Sequence, residues 1–190
     1  MRFCENLETI PSSDKLTSLR SLEIRGCNKL TCLPNGLPAS SQSCNLTRLK
    51  ELTIGPFCEE LDAFPAFQAI PQLESLKIYG WRKLKSLPEQ IQHLPSLRHM
   101  KILGFHGVEA IPEWLGNLAS LEDLTIQGCA SLKYLPSVEA MQRLTKLKEI
   151  DIIGCPLLEE RCTEESGPEL HKIRHLPFIK SKTFLHQSLN

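Results

Sequence analysis

Hydrophobic residues along this chain change their period and then change it back. Between Leu118 and Pro136 the apolar positions first fall three apart, at Leu118 and Leu121. They then alternate with polar neighbours at Leu124 and Ile126, which is the period of a half-buried strand. A spacing of three resumes at Cys129, Leu132 and Leu135 and ends on Pro136. No single helix or strand carries both periods. A coil that turns a corner does.

The same template fits most of the chain, so internal repetition is the first inference. The leucine that opens the strand recurs at Leu19, Leu49, Leu73, Leu97, Leu121 and Leu147. Two inward strand positions follow, at Leu22, Leu52, Leu76, Met100, Leu124 and Ile150, then at Ile24, Ile54, Ile78, Ile102, Ile126 and Ile152. Eight residues after the first leucine stand Cys27, Phe57, Trp81, Phe105, Cys129 and Cys155. A closing pair appears as Leu33-Pro34, Phe64-Pro65, Leu87-Pro88, Ile111-Pro112 and Leu135-Pro136. Coil lengths, leucine to leucine, are 30, 24, 24, 24 and 26 residues. The expected fold is an α/β solenoid with a parallel β-sheet on its concave face. Irregular loops or short helices are expected on the convex face.

Residues 1–11 align with the later part of a coil (Cys4, Leu7, Ile10 and Pro11 on Cys27, Leu30, Leu33 and Pro34), so Met1 falls inside a strand. Terminal repeats normally carry a polar cap, and none is visible here; the pattern predicts that the chain is the C-terminal piece of a larger protein or lacks part of its N-terminus, with a solenoid that simply begins ragged as the alternative. Residues 35–44, rich in Ser, Gly and Pro, lengthen the first full coil and are expected to form a convex loop. Pro88-Glu89 and Pro112-Glu113 suit the first helical position and the positive end of a short helix. From Glu159 the repetition stops. The expected organisation is therefore a solenoid over residues 1–158 (a partial coil at 1–11 and six after it), a C-terminal cap over 159–180 and a frayed tail at 181–190. An isolated coil would not fold, because ordering its residues costs about as much as its apolar burial returns.

Side chains between the leucines point outward and are free to carry function. They form three columns: Ser21, Glu51, Ser75, His99, Asp123, Glu149; then Glu23, Thr53, Lys77, Lys101, Thr125, Asp151; then Arg25, Gly55, Tyr79, Leu103, Gln127, Ile153. The middle coils bring Lys77, Tyr79, His99, Lys101 and Leu103 together, with more acidic coils on either side. An aromatic group among cations is a suitable centre for a protein interface. These five are the candidate protein-binding residues, and a protein partner on the concave face is the expectation.

Composition narrows the alternatives. Lys+Arg and Asp+Glu are 22 each, so the balance does not favour nucleic acid or a membrane surface as partner. No apolar stretch is long enough for a membrane span. Of the eight cysteines, Cys4, Cys27, Cys129 and Cys155 share one repeat position, where they read as small buried thiols. A reducing compartment, the cytoplasm, suits them better than a disulfide framework. Cys155, Cys162, His171 and His175 are zinc-like in type. The spacing of the two cysteines is too wide for a knuckle, however, and Cys155 is already accounted for by the ladder. Cys162 and His171 lack a third group for nucleophilic catalysis. No glycine-rich phosphate loop, catalytic residue, metal site or cofactor site is expected, and Asn45-Leu46-Thr47 matters as a glycosylation sequon only outside the cell.

The repeat is identified as a leucine-rich repeat, so the solenoid is expected to be a horseshoe. Its Cys or aromatic turn position and its Leu-Pro closings resemble the C-terminal repeats of plant nucleotide-binding leucine-rich-repeat disease-resistance proteins. The stretches that carry the likeness are Leu124–Pro136 and Gly154–Cys162, and Glu165–Pro177 is similar to the terminal segment of the coiled-coil-bearing branch. Leu170 stands where that branch often has Trp. The resemblance implies an intracellular plant immune receptor. Its repeats would recognise pathogen effectors or guarded host proteins and help hold the receptor inactive. A cell-surface receptor ectodomain would favour Asn at the turn and a Gly-x-Ile-Pro closing, against Val108-Glu109-Ala110-Ile111-Pro112 here. Substrate-recognition repeats of a ubiquitin ligase would need a catalytic or adaptor module.

Overall fold

The computed structural model of the protein describes residues 18–27, 29, 46, 48–56, 70–163 and 167–181. Among these residues, seven short strands form one parallel sheet in chain order: β1 (Ser21–Ile24), β2 (Glu51–Ile54), β3 (Ser75–Tyr79), β4 (His99–Leu103), β5 (Asp123–Gln127), β6 (Glu149–Ile153) and β7 (Phe178–Ser181). The register has no offset, so Ser21, Glu51, Ser75, His99, Asp123, Glu149 and Phe178 stand side by side. The isoleucines at 24, 54, 78, 102, 126 and 152 are each fully buried. Slipping one strand by a residue would turn its isoleucine to solvent, which is what holds the register.

Backbone bonding repeats with the same regularity. The carbonyl before each strand accepts two N–H groups from the next coil: Arg20 O from Lys50 and Glu51, Lys50 O from Glu74 and Ser75, and so on to Glu122 O from Lys148 and Glu149. Past the strands, Trp81, Phe105, Cys27, Cys129 and Cys155 are all buried at the turn. Gly80 makes room for this column, since a Cβ there would lie 2.5 Å from the Phe105 ring. The thiols take part in the ladder: Cys129 N donates to Cys155 Sγ at 3.4 Å, and Cys155 Sγ lies 3.6 Å from Ile153 O. Contact with the Cys155 side chain, then burial, pushes the Cys129 thiol up, and burial pushes Cys162 up to about 12.

Among the described residues the convex face holds 3-10 turns at Glu89–His93 and Glu113–Asn117 and two short helices, α1 (Val138–Arg143) and α2 (Pro156–Arg161). Pro88 and Pro112 occupy the cap position, in extended conformation, one residue earlier than the sequence predicts. Pro156 does take the first helical turn. Ser137 caps α1 by accepting from Ala140 N at 3.2 Å, while its own N–H and hydroxyl donate to Glu113 of the preceding coil at 2.8 and 2.6 Å.

The repeat pattern ends at Glu159, but the sheet does not. Within the segment expected to cap the column, residues 178–180 run into β7 alongside β6, and Ser181, expected in the tail, completes that strand. Ile173 and Leu176 are buried and Leu170 packs against the core. Glu169 replaces the coil that does not follow. One coil earlier, Ile111 N donates to the backbone oxygen of Tyr134 at 2.9 Å. The equivalent Leu135 N has no such carbonyl and donates instead to Glu169 Oε2 at 2.8 Å. Lys172 Nζ completes the surrogate, bonding Leu135 O at 3.1 Å and Glu169 Oε2 at 2.8 Å. The expected partial coil at 1–11, the loop at 35–44, Phe57, the Leu33-Pro34 and Phe64-Pro65 closings, and residues 182–190 lie outside the described residues.

Candidate functional site

Position in the coil sends the outward side chains to one face, and the zero-offset register aligns them in columns. The second column reads Glu23, Thr53, Lys77, Lys101, Thr125, Asp151 and, added by β7, Lys180. Lys77 and Lys101 are direct neighbours, as are Tyr79 and Leu103. His99 and Lys101 are exposed, whereas Lys77 and Tyr79 are half-buried. Leu103 shares the face by register but is only 8% exposed. Flanked by Tyr79 and Gln127 on the neighbouring strands, it supplies little contact area to a partner.

One contributor was not among the five candidates. The Arg25 guanidinium lies 4.1 Å from the centre of the Tyr79 ring, although β2 runs between them. Gly55 stands at the intervening position, so no side chain lies between Arg25 and Tyr79 there. Its φ of +84°, and a Cβ position 2.2 Å from Tyr79 O, admit no other residue without strain. Lys77 Nζ sits 5.4 Å from the same ring. Tyr79 is therefore held between two cations, each contact a favourable use of the ring's negative face. The signal in the sequence was a glycine in an otherwise side-chain-bearing column, with Arg and Tyr on either side.

Toward β7 the face turns acidic. His99 Nδ1 lies 2.6 Å from Asp123 Oδ2, and Lys180 pairs with Glu149. Asp151 keeps one carboxylate oxygen buried without a hydrogen-bond partner. Desolvation raises its pKa above the ordinary carboxylate value, with Lys180 opposing the shift. Ser75, His99, Lys101, Asp123, Thr125, Glu149 and Asp151 line a hollow of about 370 Å³ on this half of the face.

A second electrostatic feature runs along the sheet just before the strands. Lys50, Glu74, Arg98, Glu122 and Lys148 alternate in sign from coil to coil. Lys50 Nζ is 2.7 Å from Glu74, Arg98 Nη1 is 3.5 Å from Glu122, and Lys148 Nζ is 2.7 Å from Glu122. The Lys50 and Lys148 ammonium groups hold the Glu74 and Glu122 carboxyls below their usual range. These pairs are worth little individually, but they offset most of the charge along the rim beside the Lys77–Lys101 centre.

The remaining sequence candidates do not assemble. Cys155 and Cys162 are buried while His171 and His175 are exposed. Among the described residues no three His, Cys, Asp or Glu side chains are placed to hold a metal ion. Asn45 and Thr47 of the sequon lie outside the described residues. Among the described residues no helix is long and apolar enough to cross a membrane.

A family model described as leucine-rich repeat region matches residues 3–189. A protein of Arabidopsis thaliana bearing the name putative disease resistance protein is 36% identical over 83 residues; the match covers 44% of this chain and 6% of that protein. Among solved structures, the leucine-rich repeat domain of the type III effector XopL superposes with a TM-score of 0.61 at 27% identity. That superposition covers 91% of this chain and 56% of the other.

Proposed function

The chain belongs to the leucine-rich repeat region family, and we propose that it is the protein-recognition module of an intracellular plant immune receptor. Leucine-rich repeat domains are generally non-catalytic modules that bind other proteins, and their stacked coils offer an extended surface for it. The observation that carries the reading is the concave centre, where Tyr79 is held between Arg25 and Lys77 with Lys101 exposed beside it. A ring fixed by two cations, half-buried and flanked by charge, has the character of an interface anchor. The receptor setting is supported by the likeness to the Arabidopsis protein, which spans a small fraction of that protein's length. In that setting the module works in the cytoplasm. Its concave face recognises a pathogen effector or a guarded host protein, and contact with receptor domains upstream contributes to autoinhibition.

The test is capture of a defined panel of effectors, host proteins and upstream receptor domains by the wild-type chain and by Tyr79→Ala/Lys101→Glu. Circular dichroism and urea unfolding establish that the variant is folded. The expected result is loss of one specific partner by the variant. Capture undiminished in a folded variant overturns the assignment of this surface.

A further inference from the structure

Among the described residues, most charges that meet between coils find an opposite charge. Lys50 meets Glu74, Arg98 and Lys148 meet Glu122, Lys133 meets Glu109, Lys180 meets Glu149 and His99 meets Asp123. Asp123 and Glu149 are direct neighbours of like charge, but each meets a cation, His99 or Lys180; Lys77 and Lys101 are the exception among the described residues. They are directly opposite one another on β3 and β4, and like charges so placed are destabilising. Among the described residues neither forms an ion pair with a carboxylate.

Their surroundings are ordered in a way that favours a small anion. The strand neighbours on the outer sides are Thr53 and Thr125, two hydroxyl donors, both half-buried. Tyr79, next but one along β3, walls one side with its ring 5.4 Å from the Lys77 ammonium. The nearest acids in the column, Glu23 and Asp151, each lie two strands away, about 10 Å at ordinary strand spacing. Glu23 is engaged by Arg25 at 3.7 Å, and Asp123 in the next column by His99. Lys77 has its contact with the Tyr79 ring and Lys101 a longer-range attraction to Asp151, but among the described residues neither ammonium has a carboxylate at ion-pair distance to offset their mutual repulsion.

We propose that Lys77 and Lys101 form a two-pronged clamp for a carboxylate on the protein partner, with Thr53 and Thr125 as additional donors and Tyr79 as the apolar wall. The inference rests on the concave-face reading above and names the chemistry that face selects. Because Glu23 and Asp151 bracket the clamp, it takes a short acidic step, one or two adjacent Asp or Glu residues. A long polyanion would meet both carboxylates. Electrostatic matching of this kind acts mainly on selectivity and encounter rate.

The test is a shift titration of backbone amides with three short peptides in a Gly/Ser background, carrying Glu-Glu, Gln-Gln or Lys-Lys. The Glu-Glu peptide is expected to shift residues 75–79 and 99–103. K77Q/K101Q should weaken it at least about tenfold, a difference of about 1.4 kcal/mol, while K77R/K101R retains it. A Glu-Glu response no larger than that to Gln-Gln, or equal titration of wild type and K77Q/K101Q, overturns the clamp. The urea midpoint of K77Q/K101Q should equal or exceed that of wild type, since a repulsion is removed; a lower midpoint also overturns the premise. Partner capture separates the two readings. Loss in Tyr79→Ala with full capture by K77Q/K101Q leaves the interface standing and removes the clamp.

Discussion

Replacing Glu169 by alanine removes the acceptor that stands in for a missing coil, and the consequence can be worked from three contacts. Leu135 N loses its partner at 2.8 Å, and Leu135 is only 3% exposed, so water reaches the orphaned N–H poorly. Leaving a buried donor unsatisfied costs about 1–3 kcal/mol. Lys172, whose side chain is 15% exposed, keeps its bond to Leu135 O but loses its counter-charge. Arg161, 3.9 Å away, loses a weaker attraction. Breaking a buried pair by removing one member costs about 3–5 kcal/mol, and the total belongs in that range. A solenoid transmits such a loss to its nearest neighbours first. The signature is therefore local opening of the C-terminal end, with faster amide exchange at Leu135, Ile173 and Leu176 and an earlier first phase of urea unfolding. Glu169→Gln preserves an acceptor for Leu135 N and should recover a substantial part of the loss. A cost below about 1 kcal/mol for Glu169→Ala, with unchanged protection at Leu135, would refute the surrogate-backbone account.

Two further outcomes follow from residues on the sheet face. Gly55→Ala should lower stability by about 1–3 kcal/mol in urea titration, since a side chain at positive φ is strained and its Cβ would lie 2.2 Å from Tyr79 O; a neutral result would contradict the close approach that lets Arg25 reach Tyr79. Asp151→Asn should raise the thermal midpoint at pH 7, because desolvation lifts the folded-state pKa of Asp151 above its unfolded value. The sign follows from linkage: a carboxyl raised on folding destabilises once ionised, and the penalty is absent below both pKa values. The gain should shrink to nothing below about pH 4, and a gain that persists there would assign the effect to packing instead of charge.

The outward columns show how far periodicity reaches into the site. Lys77, Tyr79, His99 and Lys101 were legible because each stands at a fixed offset from a buried isoleucine, and the register placed them as neighbours. Leu103 obeyed the same offset, yet the offset fixes direction and not exposure, and the residue is buried. Arg25 was legible as a column member but not as a partner of Tyr79. That contact skips a strand and passes Gly55, a position with no side chain.

By itself the sequence determined the coil: which residues face the core, where the strands lie, and that successive coils stack in parallel without offset. Those features repeat every 24 residues or so, and burial of one isoleucine per strand enforces each of them locally. Only the tertiary structure decided what happens where repetition fails. Phe178–Ser181 becomes a seventh strand because β6 offers an open edge, although its own pattern shows no repeat. Glu169 becomes a backbone substitute because Leu135 N would otherwise be buried without an acceptor, 34 residues away in the chain. Lys77 and Lys101 stand side by side without an ion pair among the described residues because the adjacent strands place Thr53 and Thr125, not carboxylates, beside them. A periodic sequence specifies contacts that every coil makes; a contact made once depends on which group the neighbouring coils leave unsatisfied.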